Sequence, residues 1–506
     1  MKKLLKMAAL TLAFLVAAGS FAACGGKTPD TETDLEIALW EAGNGREFMD
    51  HVIAAFKKKH PEISVYLSSS AEVQTGDITT GPEINSIDLY LSTMEAYLGT
   101  KKYLEPLNDV LESEVDGVVL RTKFNGGVLE RMADPADGNM YVLPWSTSVG
   151  GLVYNKTLFD ARGYEVPRTT NELKRIVEDA ISKKDQDSSQ PSPFLHYAEY
   201  WRYLTYAWQA QYDGVDAFFD TWQFKYNGEI NTVKAVTDKN GGRYESLNVL
   251  YELISPKGAV YNGTNSFDHT TSQTIFLQGK ALMMPNGSWV ENEMKSNGTN
   301  AEIRMMKTPV ISSLAGKLGI TERQLSIIVA SIDGETLTSQ EQTALDSLQS
   351  SKPDAIEAVR AVRNVSQSEM AQFHAFVPNY ASAKGAAKEF LKFYYSDEAT
   401  KIIYDTTHMP SPVKLTTGTV NTSGWSDFAK QCLQLHDEQT FVFKALTHPI
   451  FYLGGVKDIY HNDPARAMSA TGEADHWDLE RYWTEECKYW TDNWDDLCDI
   501  AGIAHN

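Results

Sequence analysis

Cysteine is scarce, four in 506 residues, which rules out a disulfide scaffold. Basic side chains are outnumbered 46 to 67, for a formal net charge of −21. That balance argues against a nucleic-acid partner, because phosphate backbones are neutralised by Lys and Arg. With 34 Gly and 18 Pro, the chain is neither collagen-like nor of low complexity. Catalytic signatures are missing too: Gly-x-Ser-x-Gly, His-Glu-x-x-His, Gly-x-x-x-x-Gly-Lys-Ser/Thr and Cys-x-x-Cys do not occur. His60, His196, His374, His408 and His448 stand isolated in the chain, so no metal and no cofactor is expected. Two carboxylates suffice for glycoside hydrolysis, and spacing alone leaves that open among 67 acidic residues.

What is present is a chain long enough for two to four domain-sized units and a sizeable core, 42% hydrophobic. Aromatic residues make up 11%, with 11 Trp among them. The N-terminus reads as an address. Lys2, Lys3 and Lys6 precede an apolar run at 7–18 (MAALTLAFLVAA), of secretory length and short for a permanent membrane span. Phe21-Ala22-Ala23-Cys24-Gly25 then resembles a bacterial lipobox, with Phe21 where Leu is usual. The resemblance implies a signal peptide over 1–23, lipidation at Cys24 and a polar tether over 24–33. An ordinary secretory signal with an incidental Cys is the alternative. No later apolar stretch reaches 18 residues.

Beyond the tether, LEIALW (35–40) has the look of a buried strand, and 46–60 shows a helical apolar pattern that Pro61 stops. ISVYL (63–67) alternates like a strand. Strand, helix and strand in this order predict a βαβ unit, hence a parallel sheet covered by helices. Further strands are expected at 86–91 and 151–154, and a capped helix at 170–183. Residues 312–371 are more polar, with helical patterns broken by Gly334 and Lys352-Pro353, and read as a mostly helical insertion. Trp483, Cys487, Trp490, Trp494 and Cys498 recur at helical spacing and predict a C-terminal helix whose stripe packs as core. On a continuous helix Cys487 and Cys498 lie roughly 16 Å apart, against about 7 Å for a disulfide, so free thiols are favoured over a bridge.

Five segments in order resemble the bacterial extracellular solute-binding proteins of ABC importers, in particular the carbohydrate-binding group typified by maltose-binding protein. They are LEIALW with IAAFKKKHPEISV, SIDL (86–89) with KYLEPL (102–107), YVLP (141–144) leading to LVYNK (152–156), FLQGKALMM (276–284) with Gly287-Ser288-Trp289, and AAKEFLKFYY (386–395) with Met409-Pro410-Ser411-Pro412. The resemblance implies an α/β fold of two discontinuous lobes, joined by hinge crossings around a central ligand cleft. The lobes are expected at 34–144 plus 372–409 and at 145–311 plus 410–506. It further implies a lipid-anchored extracytoplasmic protein, not an enzyme, that captures a sugar or oligosaccharide by lobe closure. The partners implied are the permease subunits of an ABC importer, with the membrane touched only through the anchor and the protein itself a monomer. The alternatives are the same fold binding a polyamine, phosphate ester or metal, and a secreted glycoside-active enzyme.

A sugar offers flat C–H faces, which aromatic rings cover, and hydroxyl rims, which charged and amide groups satisfy. On that chemistry and the resemblance, the candidate ligand residues fall into loops. Trp40, Glu41 and Asn44 follow the first strand, with Trp40 equally suited to core. Ser92, Thr93 and Glu95 follow the third, and Trp145 and Ser148 lie in the Pro144 crossing. Tyr200 and Trp201 belong to a helix aromatic on every side, from 197 to 208. Asn286 and Trp289 follow a strand-Gly-x-Trp pattern, and Phe373, Phe451 and Tyr452 complete the set.

Overall fold

A computed structural model describes residues 32–504, apart from 71–74, 94–99, 125–126, 298–300, 371–372, 444–447, 454–462, 471–475 and the side chains of 42, 75–76 and 452–453. The signal peptide, Cys24, most of the tether and Glu95 lie outside the described residues.

The strands of the first half are β1 (Asp34–Leu39), β2 (Ser64–Ser69), β3 (Leu89–Thr93), a small hairpin of β4 (Glu114–Val115) and β5 (Val118–Val119), β6 (Leu143–Pro144), β7 (Gly150–Asn155) and β8 (Ser192–Phe194). Those of the second half are β9 (Ala281–Gly287), β10 (Ile303–Met305), β11 (Val365–Gln367), β12 (Phe373–Phe376) and β13 (Thr440–Val442). One sheet has the order β2-β1-β3-β12-β6, the other β13-β11-β7-β9-β8 with β10 on β7. Each sheet is the centre of one lobe of a two-lobe α/β fold.

The first βαβ unit forms as its periodicity predicts. β1 pairs in parallel with β2 and with β3. The helix between, Glu47–Lys59, buries Phe48, Met49, Val52, Ala55 and Phe56 on the sheet. Glu47 and Asp50 in its first turn and Lys57 to Lys59 in its last complement the helix dipole.

The chain crosses between sheets after β6, after β11 and again beyond the Asp397–Thr407 helix. These crossings shift the expected boundaries. Trp145 belongs to the first lobe, because its amide donates to the Phe373 carbonyl at 3.1 Å and its indole N–H to the Ser92 carbonyl at 2.9 Å. Residues just after 410 also stay with that lobe: the Lys414 amide donates to the Lys123 carbonyl, and the Thr416 amide to Asp397.

The 312–371 segment forms the helices Leu314–Leu318, Glu322–Ile332, Ser339–Ser351 and Pro353–Arg363. It is mostly helical, as expected, and packs on the second lobe. Arg168 forks onto Glu335, Ser326 donates to Glu172 at 2.6 Å, and the segment ends in β11, which pairs with β7 and β13. Inside it, Arg363 holds Asp333 through Nε and Nη2 at 2.7–3.1 Å.

The C-terminal helix runs from Leu479 to Ala501 and buries Trp483, Trp490, Trp494 and Cys498. Its stripe packs as core against Phe224, with Trp490 and Trp494 at 5.3 and 5.0 Å between ring centres. Cys432, Cys487 and Cys498 are free thiols.

Two buried histidines make the fold sensitive to acid. His196 accepts the Trp201 indole N–H at Nδ1 (2.9 Å), so its Nε2–H donates to Asn265 Oδ1 at 3.0 Å. Burial pushes its pKa down to about 4, and that of His448 likewise to about 4. An unfolded histidine titrates near 6.5, so between these values the unfolded chain binds more protons and stability falls as pH falls. The Tm is therefore expected to drop progressively from about pH 6.5 towards 4. A His196→Gln variant, scanned over the same range, should show a shallower slope.

Candidate ligand cleft

The loop at the carboxyl end of β1, the crossings and the loop after β9 lie where the lobes face each other, Asn292 after β9 donating to the Gly43 carbonyl after β1, and open α/β sheets place ligands at such strand ends. In the first lobe Trp40 directly follows β1 and remains partly exposed, its ring 5.9 Å from that of Phe373. Behind them lies Trp145, edge-on to Phe373 at 5.7 Å and parallel to Phe48 at 6.4 Å. Trp145 is 1% exposed, so both faces are taken by protein, and it supports the cleft floor without offering a plate.

In the second lobe Trp289 sits just past β9, at the N-terminus of the short Val290–Glu293 helix. Its indole stands edge-on to Tyr200 at 5.8 Å and to Tyr203 at 5.6 Å. Gly287 makes this placement possible: a Cβ there would lie 1.9 Å from the indole. Gly287→Ala should therefore expel the ring and lower ligand affinity about as much as removing it, with β9 retained. Calorimetric titration and circular dichroism of that variant check both halves of the expectation.

Residues 198–201 form a turn of 3₁₀ helix that runs into the Arg202–Asp213 helix. Side chains three apart share a face there, so Tyr200 and Tyr203 both meet Trp289, while Trp201 is turned away. Trp201 is 1% exposed, edge-on to Phe194 and bonded to His196, and so belongs to the lobe core. Contrary to the expectation from sequence, Trp201 has no face free for a ligand.

Other expected residues separate in the same way. Glu41 accepts from Ser69, and the Asn44 amide closes a turn onto the Glu41 carbonyl, both residues being partly exposed at the cleft. Ser92 and Thr93 are buried in β3, opposite His374 and Phe373 of β12, and the Ser92 hydroxyl has no hydrogen-bond partner. Ser148 lies in the first crossing and accepts the Glu369 amide at 3.3 Å. Asn286 is spent on its own strand end, its Oδ1 accepting from the Gly287 amide at 2.8 Å, and is fully buried. Phe451 lies outside the cleft, stacked on Phe224 at 5.4 Å in the C-terminal aromatic cluster. The side chain of Tyr452 is outside the described residues, though its backbone belongs to the same Pro449–Leu453 helix.

The structure adds a polar set that the sequence reading passed over. Glu369, in the second crossing, is 6% exposed and accepts from Arg202 Nη2 at 3.3 Å and from Gln367 Nε2 at 3.2 Å. Burial raises the Tyr203 phenol well above its ordinary value, and the nearby Glu369 carboxylate adds to that. Arg202 Nε and Gln367 Oε1 are buried without partners, which leaves one donor and one acceptor of this set unused. Asn292 reaches across the cleft to the Gly43 carbonyl. Among the described residues no group of three or more His, Cys, Asp or Glu is placed to hold a metal ion.

A model of bacterial extracellular solute-binding proteins matches residues 41–401 of this two-lobe chain. The chain belongs to this family. A multiple sugar-binding protein from Streptococcus mutans is 24% identical over 306 residues, covering 57% of this chain and 66% of that one. Among solved structures, the solute-binding protein RafE in complex with raffinose superposes with a TM-score of 0.58 at 13% identity, over 91% of this chain and 99% of that one. Maltose-bound MalE3 of T. maritima gives 0.55 at 16% identity, over 90% and 99%. These likenesses establish the two-lobe fold of a solute-binding protein. Family membership places the chain outside the cytoplasm, and among the described residues no helix is long and apolar enough to cross a membrane.

Proposed function

We propose that this solute-binding protein captures a neutral sugar or short oligosaccharide between its lobes and delivers it to the permease of an ABC importer. What supports this reading is a partly exposed ring on each lobe, Trp40 on the first and Tyr200 with Trp289 on the second, the hydrogen bond from Asn292 of the second lobe to the Gly43 carbonyl just after Trp40, and the hydrogen-bonded Ser148, Arg202 and Glu369 at the crossings. Rings cover the C–H faces of a sugar at about 0.5–1.5 kcal/mol each beyond area burial, and the floor selects among hydroxyl patterns. The relatives support the same class, since they include a multiple sugar-binding protein, a diacetylchitobiose-binding protein and a raffinose complex.

Capture works by population shift. A ligand that touches both walls only when they approach favours the closed arrangement by its differential affinity. Cys24 would carry a lipid that holds the protein at the outer face of the membrane, near its permease. The protein does no chemistry on the sugar.

A thermal-shift screen tests the substrate class. Raffinose, maltose and diacetylchitobiose are set against spermidine, glucose 6-phosphate and zinc. A ligand at about 100 times its Kd stabilises by roughly 2.7 kcal/mol, which raises Tm measurably. A rise with at least one neutral sugar is expected. A rise confined to the cationic, phosphorylated or metal ligands refutes the reading, as does multiple turnover of an oligosaccharide.

A further inference from the structure

One ion pair joins the two lobes far from the aromatic walls in sequence. Arg131 lies on the short Val128–Met132 helix, within a stretch tied to the first lobe by Lys123–Asp397 on one side and by the Leu107 amide to the Met140 carbonyl on the other. Its guanidinium reaches Asp216 Oδ1 at 2.6 Å and lies 4.2 Å over the ring of Phe219. Both partners belong to the Val215–Trp222 helix of the second lobe. That helix is packed through Phe218 on Tyr206 at 5.8 Å and through Phe219 on Phe443, next to β13, at 5.2 Å.

A guanidinium suits this double contact, because its N–H edge pairs with a carboxylate while its flat face covers a ring. Neither contact uses a ligand atom, and each runs from one lobe to the other. The Asp216 side chain is 91% exposed and that of Arg131 37%, so neither anchors its own lobe. Their geometry matters to the relation between the lobes.

We propose that Arg131, with Asp216 and Phe219, forms a cross-cleft latch that sets how much of the protein is closed before solute arrives. Arg131 is thus a positioning residue, acting on affinity through the lobe equilibrium without touching solute. A preformed closed fraction raises apparent affinity in proportion, and weakening the latch lowers it. Because the pair is solvent-exposed, salt screens it. The inference rests on lobe closure and not on the solute being a sugar.

Small-angle scattering of the protein without added solute tests it directly. Arg131→Ala is expected to raise the open-to-closed ratio roughly five- to tenfold, from the combined loss of an exposed pair and a cation–π contact. Asp216→Asn, at a site too exposed to threaten folding, should move the ratio the same way by a smaller factor. About 0.5 M NaCl should shift the parent towards the Asp216→Asn profile. The charge swap Arg131→Asp with Asp216→Arg should return part of the closed population. Scattering of both single variants indistinguishable from the parent at low salt overturns the latch. So does a charge swap no more closed than Arg131→Ala.

Discussion

Replacing Trp289 with alanine is expected to weaken sugar binding tenfold to a hundredfold while leaving the fold intact. An indole is among the largest apolar surfaces a protein can offer, and its loss forfeits both area burial and ring–sugar contact, together about 1.5–3 kcal/mol. Trp289 also organises its neighbours. Tyr200 and Tyr203 both stand edge-on to it, so without the indole the second-lobe wall loses its centre. The fold should survive because Trp289 caps a short surface helix and is only partly buried, unlike Trp145 or Trp201 at 1% exposure. Trp289→Phe keeps a ring at the site and should recover part of the affinity. Calorimetric titration of the two variants, with circular dichroism as the fold control, reads the effect. Unchanged affinity in Trp289→Ala would remove this residue from the binding wall.

The largest expected loss of stability is at Lys123, where methionine in its place should cost about 3–5 kcal/mol. The Lys123 side chain is 2% exposed and holds two carboxylates, Asp116 at 2.6 Å and Asp397 at 2.8 Å. Burial alone would raise the Asp397 carboxyl, but hydrogen bonds from Lys123 and from the Thr416 and Thr417 amides outweigh it and hold the group well below the usual range. Removing the cation strands two charges at the junction where the third crossing leaves the first lobe. A carboxylate with a lowered folded pKa stabilises above its unfolded value near 3.9, and that stability is lost as pH falls towards the folded pKa. The parent should therefore lose stability below about pH 4 through Asp397, a loss that Lys123→Met reduces. Urea unfolding at pH 7 and pH 3.5 measures both effects. A Lys123→Met midpoint equal to the parent's at pH 7 would show the triad to be energetically idle.

Local order was largely legible in the sequence, because it follows from periodicity. LEIALW, the amphipathic helix after it and ISVYL are β1, Glu47–Lys59 and β2 with ends displaced by a residue or two. The aromatic helix was legible as a helix, but not which of its rings meets Trp289. That depends on its opening as a 3₁₀ turn, which puts Tyr200 and Tyr203 on one side and Trp201 on the other. Long-range placement was not legible at all from local pattern. The 312–371 helices are fixed to the second lobe by pairs such as Arg168 with Glu335, and nothing in either segment announces its partner. Glu369 was passed over for a related reason. In sequence it is one acidic residue in the polar run Ser366-Gln367-Ser368-Glu369, and only the pairing of β11 with β7 brings it beside Arg202. The one available signal was that this polar run leads directly into the strand carrying Phe373.

The position of a bound sugar is the most direct test of the account. A crystal structure of the protein with the sugar that raises its Tm most should show the ligand between Trp40 and the Tyr200–Trp289 pair, with hydroxyls on Arg202 or Glu369. A sugar lodged elsewhere, for instance against the Phe224–Trp494 cluster, or touching one lobe only, would contradict capture by closure on these rings.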